Sequence, residues 1–356
     1  MELTEQSARR QTRTLLVGYR AADLTPRLLE GDVTCHVLDI YHRHAIEKTH
    51  HAKVLCSPHL PEGPWDLIRF RTGPGLMSGE LALDLLQECA AFGCPVELDY
   101  VGKERDRNDL LAKIRDDPTR HRSFKAEWPA SVPGGERLMF TSYPGCFCHR
   151  RLDEGGLALA EVVSRELLDD PRLTAPGQKL RLLDMGCGCG LVGLLVIRRL
   201  SNSTNPSDLS LVMVDSHARA VEAARENALK FGIAAEVILA DNGSPARMDG
   251  TFDVFVGNPP YYSDYRIAEV FLETARRALK PGGICYTVVK NAAGLKPVQE
   301  RYFPRVDVIP RRGYSVLRSV TPATDGIRSS STAADGIRQS LISNQPKTKK
   351  PDSHVP

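Results

Sequence analysis

The chain has 356 residues, 42% of them hydrophobic and 26% charged, with a formal net charge of +3. The length suggests two domains, no run of eighteen apolar residues is present to span a membrane, and Met1–Arg13 lacks the apolar stretch of a secretory leader. So small a charge excludes a globally basic nucleic-acid binder, and the nine scattered cysteines read as reduced thiols of a cytoplasmic protein.

In chain order, Thr14–Gly18, Val33–Asp39 and Trp65–Phe70 read as short strands. Leu81–Phe92 reads as a helix stopped by Gly93, and Cys94–Val101 as a further strand. Basic residues follow at Arg120, His121, Arg122 and Lys125. We place a first domain at 1–125, a linker at 126–140, a second domain at 141–321 and a tail at 322–356.

From Leu180 the alternation of strands and helices is stronger. Leu180–Asp184, Leu209–Asp215, Ala235–Asp241, Phe252–Asn258 and Gly283–Val289 read as strands, and Tyr314–Val320 as a last one. Helices are expected at Leu191–Leu200, Ala218–Phe231 and Ile267–Leu279, the last stopped by Pro281-Gly282-Gly283. Such alternation implies an α/β fold with a mainly parallel sheet covered on both faces. The first domain follows the same plan, with Asp66 to Asp99 spaced like Asp253 to Thr287, which suggests a duplication. Its chemical motifs are gone: Gly18 stands alone, and Arg69-Phe70-Arg71 replaces Asn258-Pro259-Pro260.

Three motifs carry chemistry. Asp184-Met185-Gly186-Cys187-Gly188-Cys189-Gly190 follows a strand and opens a helix, so its backbone can turn sharply and approach a ligand. An acidic residue before G-x-G-x-G suits the charged methionine part of S-adenosylmethionine better than a pyrophosphate. Asp215-Ser216 and Asp241-Asn242 end the next two strands, where a carboxylate can accept from ribose hydroxyls and the following pair can meet adenine. Asn258-Pro259-Pro260-Tyr261 ends the fourth strand. The prolines stiffen that loop and fix the Asn258 carbonyl and a proline carbonyl as acceptors for a target –NH₂, with Tyr261 able to stack on a flat substrate.

These motifs resemble the class I methyltransferases of exocyclic amines and amides. Tyr143-Pro-Gly-Cys-Phe-Cys-His-Arg-Arg-Leu-Asp153-Glu-Gly155 is similar, further, to the lead-in segment of the ribosomal RNA guanine-N2 methyltransferases, members of the methyltransferase small domain family. The resemblance implies tandem Rossmann-like domains, the N-terminal one degenerate and the C-terminal one catalytic, with a seven-stranded sheet in the latter. It implies S-adenosylmethionine as cofactor, guanine in ribosomal RNA as substrate, and an N-terminal domain that helps to dock RNA. By carry-over, Phe147, Asp153 and Gly155 border the cofactor with Asp184, Gly186, Gly188, Gly190, Asp215, Ser216, Asp241, Asn242 and Asn258. Asn258, Pro259, Pro260 and Tyr261 hold the base.

Tyr261 departs from the Phe commoner in the guanine branch and permits an adenine or protein-glutamine target. A module that binds cofactor or RNA without turnover is a third alternative. Cys146-Phe147-Cys148-His149 lacks the paired C-x₂-C units of a zinc site, so no metal is expected. His149-Arg150-Arg151 and Arg311-Arg312 are candidate phosphate contacts. The tail, rich in Ser, Thr, Pro and Gly, repeats Ala323–Arg328 at 333–338 and predicts disorder. Oligomeric state is left open.

Overall fold

The computed structural model of the chain describes residues 12–115, 123–131, 135–170, 177–242, 248–260 and 265–323. The first half runs β1 (Arg13–Val17), β2 (Asp32–Val37), α1 (Ile40–His50), β3 (Lys53–Cys56), β4 (Leu67–Thr72), α2 (Gly79–Ala90), β5 (Val96–Tyr100) and α3 (Glu104–Arg115). Its sheet has the order β3-β2-β1-β4-β5, with every neighbour parallel. Three of these elements, α1, β3 and α3, have weak apolar patterns. In α1 only Ile46 is buried, so a periodicity argument has little to read.

The stretch expected as a linker carries an antiparallel pair, β6 (Ala126–Ser131) and β7 (Arg137–Ser142). Alternating burial along β6 sends Trp128 and Ala130 inward. Trp128 stacks on Phe140 at 5.3 Å between ring centroids, and Phe140 meets Phe231 edge-on at 4.9 Å. The pair is thus part of the second half's core.

The second half continues with α4 (Glu154–Leu168), β8 (Leu180–Met185), α5 (Leu191–Leu200), β9 (Leu209–Asp215), α6 (Ala218–Lys230), β10 (Ala235–Leu239), β11 (Phe252–Gly257), α7 (Arg266–Ala278), β12 (Leu279–Val289), α8 (Ala292–Gln299), β13 (Asp307–Arg311) and β14 (Tyr314–Val320). The sheet order is β10-β9-β8-β11-β12-β14-β13. Seven strands were expected, but the sheet is mixed. It is parallel from β10 to β12, while β14 runs antiparallel to both β12 and β13. The cause is local: β13 and β14 are joined by Arg312 and Gly313 alone, both at positive φ, a two-residue turn that closes only antiparallel strands.

Alternate side chains build two cores. Leu182, Val254, Val256, Tyr286 and Val288 face α4, α5 and α6, whereas Leu183, Phe255, Cys285 and Val289 face α7 and α8. The strand order reverses between β8 and β11, and their carboxyl ends flank the crevice where open α/β sheets bind ligands. The segment from 324 onward, with the near-repeat and the basic stretch, lies outside the described residues.

Candidate active site

The loop between β8 and α5 has Gly186, Gly188 and Gly190 all left-handed, at φ 65°, 55° and 86°. Each is required for a different reason. A Cβ on Gly186 would lie 2.6 Å from the Phe271 ring, and one on Gly190 would lie 2.8 Å from Leu194. A Cβ on Gly188 would meet nothing within 4 Å, so this glycine presents bare backbone to open space. Phe271 also packs under Gly257, where an added Cβ would lie 2.8 Å away. One α7 ring therefore supports both the glycine loop and the end of β11.

Asp184 is 2% exposed, and its Oδ2 accepts from the Gly193 N–H at 2.8 Å. It ties β8 to the first turn of α5. Burial pushes its carboxyl up to about 7, partly opposed by the Gly193 N–H. Gly193 was not singled out from the sequence. A Cβ there would lie 2.9 Å from Leu211 and 3.0 Å from the Asp184 carboxylate.

Asp215 accepts from the Gly188 N–H through Oδ2 and from the His217 N–H through Oδ1, both at 2.9 Å. Burial raises its carboxyl above the usual range, and these N–H groups oppose the shift. Ser216 and Asp241 turn toward the first half: Ser216 Oγ donates to Asp39 at 2.9 Å, and Asp241 Oδ2 accepts from His44 Nδ1 at 2.8 Å. The Asn242 carbonyl accepts from Thr274 Oγ1 at 3.4 Å.

The lead-in segment meets the Asn-Pro-Pro loop directly. Asp153 caps α4, its Oδ1 accepting from the Gly155 N–H at 3.0 Å. Its Oδ2 accepts from Asn258 Nδ2 at 2.7 Å. That bond fixes which end of the Asn258 amide is which, and turns Oδ1 away from Asp153. Burial raises the Asp153 carboxyl, while the Gly156 and Gly155 N–H groups and Asn258 lower it. Gly155 abuts Tyr314, whose ring lies 4.2 Å below Lys290 Nζ. Pro259 is buried and Pro260 half-buried. Phe147 is 67% exposed beside this segment, and Cys148 and Arg150 take left-handed conformations. Tyr261 lies outside the described residues.

Cys146, Cys187 and Cys189 are buried under the glycine loop. Burial pushes the Cys146 thiol up to about 12 and also raises those of Cys187 and Cys189. Among the described residues no group of three His, Cys, Asp or Glu side chains is placed to hold a metal ion. Most of the basic candidates are engaged within the chain. Arg150 bonds Glu80, Lys125 bonds Glu226, and Arg311 and Arg312 bond Glu161 on α4. His149 Nδ1 shares a hydrogen bond with Ser142 Oγ at 2.9 Å. Arg120, His121 and Arg122 lie outside the described residues. Among the described residues no helix is long and apolar enough to cross a membrane.

A doubly wound sheet, a left-handed glycine loop and an Asn-Pro-Pro loop at the switch point define a class. The sequence profile of the methyltransferase small domain matches residues 137–318, and the chain belongs to that family. It is 30% identical over 222 residues to ribosomal RNA small subunit methyltransferase C of Pseudomonas aeruginosa (strain UCBPP-PA14), covering 61% of this chain and 60% of that protein. To the protein of that name from Haemophilus influenzae (strain PittGG) it is 27% identical over 189 residues, 52% of each. The chain thus spans about 60% or less of the length of these curated relatives. Its fold is similar to that of a T. thermophilus 16S rRNA N2 methyltransferase solved with AdoMet and guanosine. The TM-score is 0.70 at 18% identity, over 87% of this chain and 88% of that one.

Proposed function

We propose that this chain is an S-adenosylmethionine-dependent methyltransferase acting on an exocyclic amino nitrogen, guanine N2 in ribosomal RNA. The observation that carries the reading is the Asp153–Asn258 hydrogen bond at the end of β11. It joins the lead-in segment to the Asn-Pro-Pro loop and orients an amide acceptor at the switch point. The names of the relatives, and the guanosine in the T. thermophilus structure, support guanine and ribosomal RNA over other amines.

The cofactor fits the residues present. Gly188 leaves bare backbone where any side chain would stand, and carboxylates end β9 and follow β10. Gly186, Gly188 and Gly190 would cradle the methionine part, with Asp184 acting through the α5 turn that it holds. Asp215 and Ser216 would meet the ribose, Asp241 and Asn242 the adenine, and Phe147, Asp153 and Gly155 the outer edge. When bound, S-adenosylmethionine supplies an electrophilic methyl group on a sulfonium sulfur.

The chain's own part is positioning. Asn258 Oδ1 and a proline carbonyl of the same loop accept from the two hydrogens of the target –NH₂ and aim its lone pair. With its two hydrogens held there, the target nitrogen would present its lone pair to the cofactor's methyl group and afterwards release one proton to water. Tyr261, outside the described residues, is the side chain expected to stack on the base.

We read the first half (1–125) as a degenerate copy of the second (141–321), with 126–140, expected as a linker, packed into the second half's core through β6 and β7, and 322–356 as a tail. Five strands share one order in both sheets. Register pairs Val17 with Phe70 and Met185 with Gly257, so Arg71, and not Arg69 as expected from the sequence, stands where Asn258 does, and Leu16 where Asp184 does. Arg71 is consumed by Asp23 and Asp99. A ribosomal RNA substrate implies a cytoplasmic reaction.

Tyr261 favours a second reading, an adenine or protein-glutamine amide target. Labelled methyl transfer to total RNA, DNA and protein, with the labelled nucleoside then identified as guanosine or adenosine, separates the two. Label in guanosine of RNA alone supports the proposal, and label in adenosine or in protein alone overturns it.

A further inference from the structure

We propose that the first half completes the cofactor end of the second half's site, with His44 and Asp39 as positioning residues for the adenosine-binding side chains. The inference rests on the reading of Asp215, Ser216 and Asp241 as cofactor residues. It adds that two of these three are held by side chains from the half that has lost its own motifs.

The contact starts at the backbone. Asp39 and His217 form an antiparallel bridge, in which the Ile40 N–H donates to the Ser216 carbonyl at 2.9 Å and the Ala218 N–H donates to the Leu38 carbonyl at 2.6 Å. Asp39 and His217 are the N-cap residues of α1 and α6, so equivalent points of the two copies face each other. The Asp39 carboxylate then works on both sides. Oδ1 accepts from the Tyr41 N–H at 2.8 Å and caps α1, and Oδ2 accepts from Ser216 Oγ at 2.9 Å. The loop after β9 is therefore clamped twice, by Asp215 to Gly188 and by Ser216 to Asp39.

His44 lies just over one turn along α1. Its Nδ1–H donates to Asp241 Oδ2, with the imidazole 53% and the carboxylate 23% exposed. A pair this open contributes little to folding. What it fixes is the rotamer of an otherwise swinging carboxylate just past β10, where adenine is expected. Ordering that side chain before the ligand arrives removes the cost from binding.

The support behind α1 is rigid enough for this. Arg219, two residues past the bridge and 1% exposed, bonds Asp84 and Glu88 of α2 and the Pro58 carbonyl in the first half. Its other contact is the Pro144 carbonyl in the lead-in segment. A shift of the first half would move both the ribose loop and the lead-in together.

The test is calorimetric binding of S-adenosylmethionine and S-adenosylhomocysteine to the full chain and to His44→Ala, His44→Asn, Asp39→Ala and Asp215→Ala, with thermal melts of each. His44→Ala is expected to raise Kd about tenfold, within the usual range of coupling between sites. Its melting temperature should stay unchanged, kcat at saturating cofactor should stay within about twofold, and His44→Asn should recover most of the affinity. An unchanged Kd in both His44→Ala and Asp39→Ala, with binding lost in Asp215→Ala, overturns this inference and leaves the cofactor reading standing. Weaker binding that only tracks a collapsed melt also overturns it, since the role is then structural. Binding that is absent in the wild type, or equal in Asp215→Ala, defeats the cofactor reading and this inference with it.

Discussion

Asn258 and Asp184 are both polar residues at strand ends, yet the structure gives them opposite tasks. Asn258 is oriented by Asp153 at the crevice, whereas Asp184 is turned inward onto the Gly193 N–H. Asn258→Ala should lower turnover about 100-fold, as loss of one preorganised polar contact does, while the cofactor Kd changes little. Equal loss of both would make Asn258 a structural residue. For Asp184 the test is pH. Its folded carboxyl titrates near 7 against an ordinary value of 3.8, so the folded state holds the extra proton between those values. This contribution is fully present below about pH 4 and lost as pH rises through 7. Asp184→Asn should therefore gain stability relative to the wild type across that window in cofactor-free melts. A constant offset at every pH would contradict it. The sequence announced Asn258 because its meaning travels with the adjacent prolines. It did not show the tie from Asp184 to Gly193, because only the turn of α5 brings Gly193 back over the strand end.

At the scale of elements, most strands and helices of the second half were legible. Long apolar runs bounded by glycine or proline mark them, and the Leu191–Leu200 and Tyr314–Val320 bounds match. The hairpin β6–β7 was missed because the inward side of β6 is Ala126, Trp128 and Ala130, two of them small, and Pro129 ordinarily argues against a strand. Antiparallel β13–β14 was missed because Arg312-Gly313 is a weak turn signal beside the usual Asn-Gly. The shared support of two motif loops by Phe271 could not be read at all, since it depends on how α7 packs. Gly186→Ala should cost about 2 kcal/mol through left-handed strain and overlap with that ring. Phe271→Leu in the same chain should cost less than the two changes summed, as touching residues do. Gly188→Ala should carry only the strain, about 1 kcal/mol, while weakening cofactor binding. Strict additivity of the Gly186 and Phe271 changes in denaturant titrations would refute the contact.

At the scale of the molecule, the two halves are joined by buried charge. Arg219 binds carboxylates and a carbonyl of the first half from inside the second half's α6. Arg219→Met keeps most of the volume but takes the cation from Asp84 and from Glu88, which keeps the Leu60 N–H and His59, and should cost about 3 kcal/mol. Calorimetry of this variant should show a lowered melt, and an unchanged one would mean that the halves do not depend on the pair. The strand order common to both sheets was foreshadowed by the spacing of strands, whereas the contact between the halves was not. Residues such as Asp39, His44 and Arg219 look like any surface polar residues until the two sheets are set together.

The central claim is methyl transfer to guanine N2 in ribosomal RNA. The most direct measurement supplies the full chain with methyl-labelled S-adenosylmethionine and small-subunit ribosomal RNA, alone and in subunits, from cells lacking this activity. The RNA is then digested and its labelled nucleoside identified by mass. Label is expected in N2-methylguanosine and is expected to be lost in Asn258→Ala. Label in N6-methyladenosine, or in ribosomal protein with none in RNA, would contradict that claim.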